Sequence, residues 1–292
     1  MKQYHLSEPF FLRNLVTFPI HAGDGSSHEN DMSRFNPLTL DEVLRQGQAG
    51  VRELDIPDMT EIVFDNRGNE PVVLLDGEEI TGSLQNRIIA RSHVVAARST
   101  TSIPVVCVEE GRWDEIGGFQ TGYCSYPRIR SILAQSLHKK IDTQKTIWDE
   151  ISRKLTATKT LSKTSSMHEI YDNLHEELER YVEGFSSFNH NTVGFIGCAG
   201  NQIIGCDLFS NANIYQKFEH KLIRSYALDA VEYQRAKRGL PDVERFFTRI
   251  LNTLESKKLK KSSKTIPMKG DGFIGHTLMY RNHFVHLSAF PV

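Results

Sequence analysis

The sequence predicts an α+β fold from three observations. Residues 51–113 run as short extended segments separated by turn residues, residues 129–185 switch to helical spacing, and strand-like segments return after residue 192. Strands and helices are therefore segregated along the chain instead of strictly alternating. This argues against a doubly wound parallel sheet. The expectation is a β-rich N-terminal half with a mixed or antiparallel sheet, and helical middle and C-terminal segments packed on it. No internal repeat and no clear linker is visible, so 1–292 reads as a single α+β domain with helical insertions. The alternative is a break near Arg128, with 1–128 β-rich and 129–292 helical plus closing hairpins.

Taken in order, residues 10–20 are apolar-rich and end near Pro19, and a polar Gly/Ser/Asp/Asn loop follows. Thr39 and Glu42 form a capping box that opens a short helix to about Gln46. The runs VRELDI, EIVFDN, PVVLLDG, EEITG, QNRIIAR, HVVAA and SIPVVCVEEGRW read as strands. Asn66-Arg-Gly68-Asn signals a turn, and Asp76-Gly77 signals a hairpin. Residues 129 to about 155 are helical. Ser166 and Glu169 form a second capping box, opening a helix whose Ile170, Leu174, Leu178, Tyr181 and Phe185 recur at helical spacing. Residues 192–198 and 202–209 read as a hairpin around Gly200-Asn201. Residues 214–233 form an amphipathic helix, and Asp242 caps another through Phe246, Phe247, Ile250 and Leu254. The lysine-rich KKLKKSSK reads as a solvated linker, and HTLMYRNHFVHLSAF as a closing hairpin in which His286 is a core or edge residue.

Composition narrows the function classes. The chain is 39% hydrophobic and 24% charged, with 35 Lys+Arg against 36 Asp+Glu, giving a net charge of -1. Those values suit a globular protein, and the charge balance argues against general nucleic-acid binding. No signal-peptide core and no membrane-length apolar run is present, so no membrane partner is expected. Cys107, Cys124, Cys198 and Cys206 form no CxxC pair. A disulfide framework or standard zinc site is not expected, and a reduced cytoplasm is the expected compartment. Glycine-rich phosphate loops, HExxH and GxSxG are absent. Asp24, His28, Glu29 and Asp31 lack calcium-loop spacing and read as a surface loop. The residues name no metal and no cofactor.

Polar residues are out of place in residues 71–113. Asp76, Glu78 and Glu79 surround a turn, and Gln85-Asn86-Arg87 leads into Ile88-Ile89. Strand alternation puts Gln85 and Arg87 on one face, and Val105, Cys107 and Glu109 on one face of the next run. A half-buried Glu109 needs a partner, and Arg87, Arg112 or Gln85 can supply it. Read structurally, Arg87 and Glu109 pair across strands and Cys107 is a small core residue. Read functionally, Glu78, Glu79 and Glu109 are candidate acid/base carboxylates, with a glutamate of raised pKa moving protons. Gln85, Asn86, Arg87 and Arg112 then contact the ligand, and Cys107 is a candidate nucleophile that needs a nearby base.

The blocks DGEEITGSLQNRII, STTSIPVVCVEEGRW and GNQIIGCDLFSN, followed by KLIRSYALDA, resemble the ARG-and-rhodanese-phosphatase-superfamily-associated protein domain, a domain of unknown function. The resemblance covers about residues 10–290, with the blocks in the family's order. Val106 stands where a Ser-like residue is usual, and GDGSSHEND looks like an insertion. The resemblance implies gene-level association with ADP-ribosylglycohydrolases, and hence a role near NAD, ADP-ribose or nucleotide metabolism in bacterial conflict systems. Two expectations result. One is a domain that binds or processes an ADP-ribose-like or nucleotide-like ligand through its Glu/Gln/Asn/Arg cluster. The other is a non-enzymatic interaction or homo-oligomerisation module, with that cluster as a structural network and an exposed helix face, residues 215–226, meeting a partner.

Overall fold

Turn residues and hydrophobic period place most of the elements. The computed structural model of the chain describes residues 4–23, 35–185, 189–233, 240–256 and 264–292. The loop with Asp24, His28, Glu29 and Asp31, and the lysine-rich stretch up to residue 263, lie outside the described residues. From the N-terminus come β1 (Tyr4–Leu6), β2 (Phe10–Leu12) and β3 (Leu15–Ala22). Then follow β4 (Leu38–Thr39), α1 (Leu40–Arg45), β5 (Ala49–Arg52), β6 (Glu61–Asn66), β7 (Val72–Leu74) and β8 (Glu78–Thr81). The β-rich half ends with β9 (Arg87–Ile89), β10 (His93–Val95), β11 (Ser99–Cys107) and β12 (Gln120–Cys124). The helices α2 (Pro127–Ser136), α3 (Thr143–Ala157), α4 (Met167–Asn173) and α5 (His175–Gly184) come next. The remainder is β13 (Thr192–Ala199), β14 (Gln202–Phe209), α6 (Ala212–Ala230), α7 (Val243–Ser256), β15 (Thr265–Gly270), β16 (Phe273–Tyr280) and β17 (His283–Pro291). The fold class is α+β, with three sheets among the described residues. No helix among the described residues is long and apolar enough to cross a membrane.

The chain divides into two units. Residues 1–36 and 178–292 form one, and residues 37–177 the other; Arg128 lies inside α2. The first unit is built on an eight-stranded sheet in the order β1-β3-β13-β14-β17-β16-β15, with β2 also paired to β3. The two expected hairpins form. β13 pairs antiparallel with β14, and β16 with β17 through Arg281 and Asn282, both at positive φ (47° and 69°). Val243, Phe246, Phe247 and Ile250 of α7 pack with Ile196, Leu208, Met268 and Leu287 of the sheet. Each such burial is worth about 1.5–3 kcal/mol. Asp242 caps α7 as expected, accepting from Arg245 N at 3.0 Å.

Helix α6 corrects one expectation. Tyr215, Phe218, Leu222 and Tyr226 are buried, not presented to a partner, and Tyr226 meets Phe195 edge-on at 4.7 Å. The Tyr226 hydroxyl donates to Asp207 Oδ2 at 2.8 Å, and His286 Nε2 lies 2.8 Å from Asp207 Oδ1. His286 is therefore a core residue.

In the second unit, a six-stranded sheet runs β12-β8-β9-β11-β6-β5 beside a three-stranded one ordered β10-β7-β4. Ile80, Ile89, Ile103 and Val105 share a core with Leu40 and Val43 of α1 and Val72 and Leu74 of β7. The Thr39/Glu42 capping box is present in full. Helices α3 and α4 contact β11 and β12.

Three local expectations change here. Asp76-Gly77 is not a hairpin turn, because β7 pairs with β10 and β4 whereas β8 pairs with β9 and β12. Gly77, at φ 83°, moves the chain from one sheet to the other, and the Asp76 carboxylate is buried against Arg130 of α2 at 3.0 Å. The helix expected from residue 166 to 185 breaks at Leu174, where Asn173 donates to Thr160 Oγ1 at 3.0 Å. Ser166 makes no side-chain cap; its hydroxyl lies 3.4 Å from Asn86 Nδ2.

Candidate functional site

Strand β9 begins only at Arg87, so Gln85 and Asn86 sit in the turn before it and not on an alternating strand. From that turn the residues close on Glu109. Its Oε2 accepts from Arg112 Nε (2.9 Å), Arg112 Nη2 (2.7 Å) and the Asn86 backbone N–H (3.1 Å). Its Oε1 accepts from the Thr164 hydroxyl at 2.9 Å. Arg112, rather than Arg87, is thus the partner that Glu109 needs. Burial pushes the Glu109 carboxyl up, but the hydrogen bonds from Arg112, Asn86 and Thr164 and the Arg112 charge outweigh it, leaving the pKa below the ordinary value. The sequence expected a raised value; a carboxylate given this many donors goes the other way.

Arg112 reaches further. Nη1 donates to Ser83 O at 2.6 Å and Asp114 O at 2.8 Å, and Nη2 to Asn86 Oδ1 at 3.1 Å. Asn86 Oδ1 also accepts from Gly82 N–H at 3.0 Å, and Gln85 Nε2 donates to Glu109 O at 3.0 Å. One guanidinium therefore fastens the 82–86 turn to the loop that starts at residue 109.

Arg87 is fully buried and turns to Glu53, just after β5. Nη1 lies 3.0 Å from Glu53 Oε2, and Nη2 donates to Glu53 Oε1 at 3.1 Å, which also accepts from Ser83 Oγ at 3.0 Å. The cross-strand Arg87–Glu109 pair expected from the sequence is not made. Next to this second anchor lies a pocket of about 400 Å³, lined by Val51, Arg52, Glu53, Pro57, Ser83, Leu84, Glu115, Gly117, Gly118 and Phe119. It is a half-open recess in which apolar Val51, Pro57, Leu84 and Phe119 stand beside Arg52, Glu53, Ser83 and Glu115, at a volume within the range of small-molecule sites. The two arginines thus stand behind the pocket and hold its walls: Arg87 through Glu53 and Ser83, Arg112 through the 82–86 turn.

The other candidates lie elsewhere. Glu78 is buried and its Oε2 accepts from Leu75 N–H at 2.8 Å. Glu79 is buried on the opposite face of the sheet from Arg87: Glu79 registers with Ile88, and Ile80 with Arg87. Cys107 is buried, its backbone bonded to the Gln144 amide, and burial pushes its thiol up despite the Glu109 N–H that reaches its sulfur. A thiol in that setting stays protonated at neutral pH.

Sequence reasoning missed Glu53, Leu84 and Phe119. Leu84 stands next to the singled-out triplet and was within reach; Glu53 lies inside a run read as strand and carries no local signal. Comparison with known proteins adds the family. No curated protein and no solved structure matches the chain. The family model described as the ARG and Rhodanese-Phosphatase-superfamily-associated Protein domain matches residues 3–290. With nearly the whole chain covered, the protein belongs to that family.

Proposed function

We propose that residues 37–177 bind an ADP-ribose-like or nucleotide-like small molecule in the pocket between Glu53 and Phe119. The observation that carries this reading is the pocket itself, backed by two arginines that are already committed to its walls. Leu84 and Phe119 offer a surface for a flat ring. Glu53 is held by Arg87 and Ser83 on Oε1 and buried against Arg87 on Oε2, so it fixes this wall and does not itself grip the ligand. Arg52, with 60% of its side chain exposed, serves an anionic end. The nucleotide class is favoured by the gene-level association implied in the family's name. Gln85, Asn86, Arg87 and Arg112 act in this reading as the frame, so ligand affinity depends on them through wall geometry. A thermal-shift screen with ADP-ribose, NAD and mononucleotides tests it. A ligand of about 10 µM Kd at about 1 mM should stabilise by about 2.7 kcal/mol, and no response to any of them rejects the ligand class.

A second reading has its own observation. Ile56, Trp113 and Ile116 are exposed at 84%, 47% and 65% in the segments that run to the pocket, and exposed apolar side chains of this size suit a protein contact. On that reading the polar cluster is a structural network. Light scattering that shows self-association, lost on Trp113→Ser with Ile116→Ser, favours it over the small-molecule reading.

A further inference from the structure

We infer that Glu79, His168, Tyr123 and Asp172 form a second site, a general acid–base centre that hydrolyses an uncharged ester-type substrate. It lies on the face of the sheet opposite Arg87 and does not depend on the nucleotide reading.

The geometry starts with Glu79. Its carboxylate is buried, and Oε2 accepts from the Tyr123 backbone N–H at 3.1 Å and lies 2.7 Å from His168 Nδ1. It rests on the backbone of β12: a Cβ at Gly122 would sit 2.9 Å from Glu79 Cδ and closer still to Oε2. A carboxylate only accepts, so it places the proton of a neutral His168 on Nδ1 and leaves the Nε2 lone pair as the basic atom. That is the arrangement by which a buried acid orients a catalytic imidazole.

The other nitrogen is accessible. His168, on the first turn of α4, is 29% exposed at its side chain, and Nε2 stands 3.7 Å from Asp172 Oδ2, beyond hydrogen-bond distance. Asp172 is held instead by the Tyr123 hydroxyl, which donates to Oδ1 at 2.9 Å. The Tyr123 ring packs on His168 at 4.9 Å and on Tyr171 at 4.5 Å, fixing the imidazole plane. Burial lowers the His168 pKa, but the Glu79 hydrogen bond and the charges of Glu79, Asp172 and Glu109 outweigh this and raise it. The raised pKa makes the free imidazole a stronger base and moves the pH at which it becomes available upward.

The charge of the surroundings selects the substrate. The carboxylates of Glu79 and Asp172 flank the imidazole, so a phosphate monoester is repelled and an uncharged acyl group is not. In the step, His168 Nε2 takes a proton from water as the water oxygen bonds to the carbonyl carbon. The carbon–oxygen bond to the leaving alcohol then breaks, and the imidazolium returns the proton to that oxygen. Ester and water become acid and alcohol, with no further reagent.

Hydrolysis of p-nitrophenyl acetate and of p-nitrophenyl phosphate by the full chain tests the proposal, alongside an NMR titration of His168. The acetate should be turned over with a pH midpoint equal to the His168 pKa, and His168→Gln should lower the rate by about 100-fold. The phosphate should not be hydrolysed. Glu79→Gln and the exposed-site variant Asp172→Asn should each lower both the pKa and the midpoint; the second serves if the first does not fold. Absence of acetate hydrolysis in the wild type, an unchanged rate in His168→Gln, or a midpoint that ignores Asp172→Asn would overturn it.

Discussion

At the scale of single residues, Arg112 and Glu109 decide whether the frame holds. Arg112 donates to a carboxylate, a side-chain amide oxygen and backbone carbonyls in two separate segments. Removing it leaves Glu109 a buried charge without its cation, a change that costs about 3–5 kcal/mol. Urea unfolding of Arg112→Ala should show a loss of that order; a loss under about 1 kcal/mol would mean the pair is solvated. Glu109 also sets a pH dependence. Its pKa is depressed on folding, so its stabilisation is present above the ordinary value of 4.5 and lost as pH falls through the folded value. Stability of the wild type should decline below that pH, and Glu109→Gln should flatten the decline. Equal acid sensitivity in both proteins would assign it to other carboxylates.

At the scale of elements, the caps and turns carry much of the local order. Asp242 accepts from Arg245 N–H at the start of α7, and Asp242→Ala should cost about 1 kcal/mol in thermal or chemical unfolding; no change would mean that packing of the helix alone sets its start. Such features were legible in the sequence because they are local: Thr39 with Glu42, the period of α7, and the C-terminal hairpin each depend on residues a few positions apart. What was not legible depends on distant partners. Asp76-Gly77 has the letters of a hairpin, but its carboxylate answers to Arg130, 54 positions away, and the chain changes sheets. Ser166 has the letters of a cap, but it sits beside Asn86 of the QNR triplet. The candidate site divides the same way. Arg112 lies three residues from Glu109 and was among its expected partners, whereas Arg87 could not be matched to Glu53 without knowing that the segment after β5 reaches it. His168 went unremarked because its partner Glu79 is 89 positions away.

At the scale of the whole molecule, residues 37–177 carry their own core, sheets, pocket and both clusters of polar residues, and residues 1–36 with 178–292 carry another core built on the eight-stranded sheet. Of the polar residues that look misplaced in a strand sequence, Asn86, Arg87, Glu109 and Arg112 tie turns to strands beside a pocket that no single motif announces, whereas Asp76, Glu78 and Glu79 are engaged elsewhere. The proposed occupant of this pocket is the ring of a nucleotide-like ligand. Calorimetric titration of ADP-ribose into the wild type and into Phe119→Ala, each with its fold checked by circular dichroism, decides whether the ring binds there. Saturable binding by the wild type is expected, with a weakening by about 1–3 kcal/mol in the variant, the range for losing one aromatic partner of a base. Equal affinities in the two proteins, or no binding by the wild type, would contradict it.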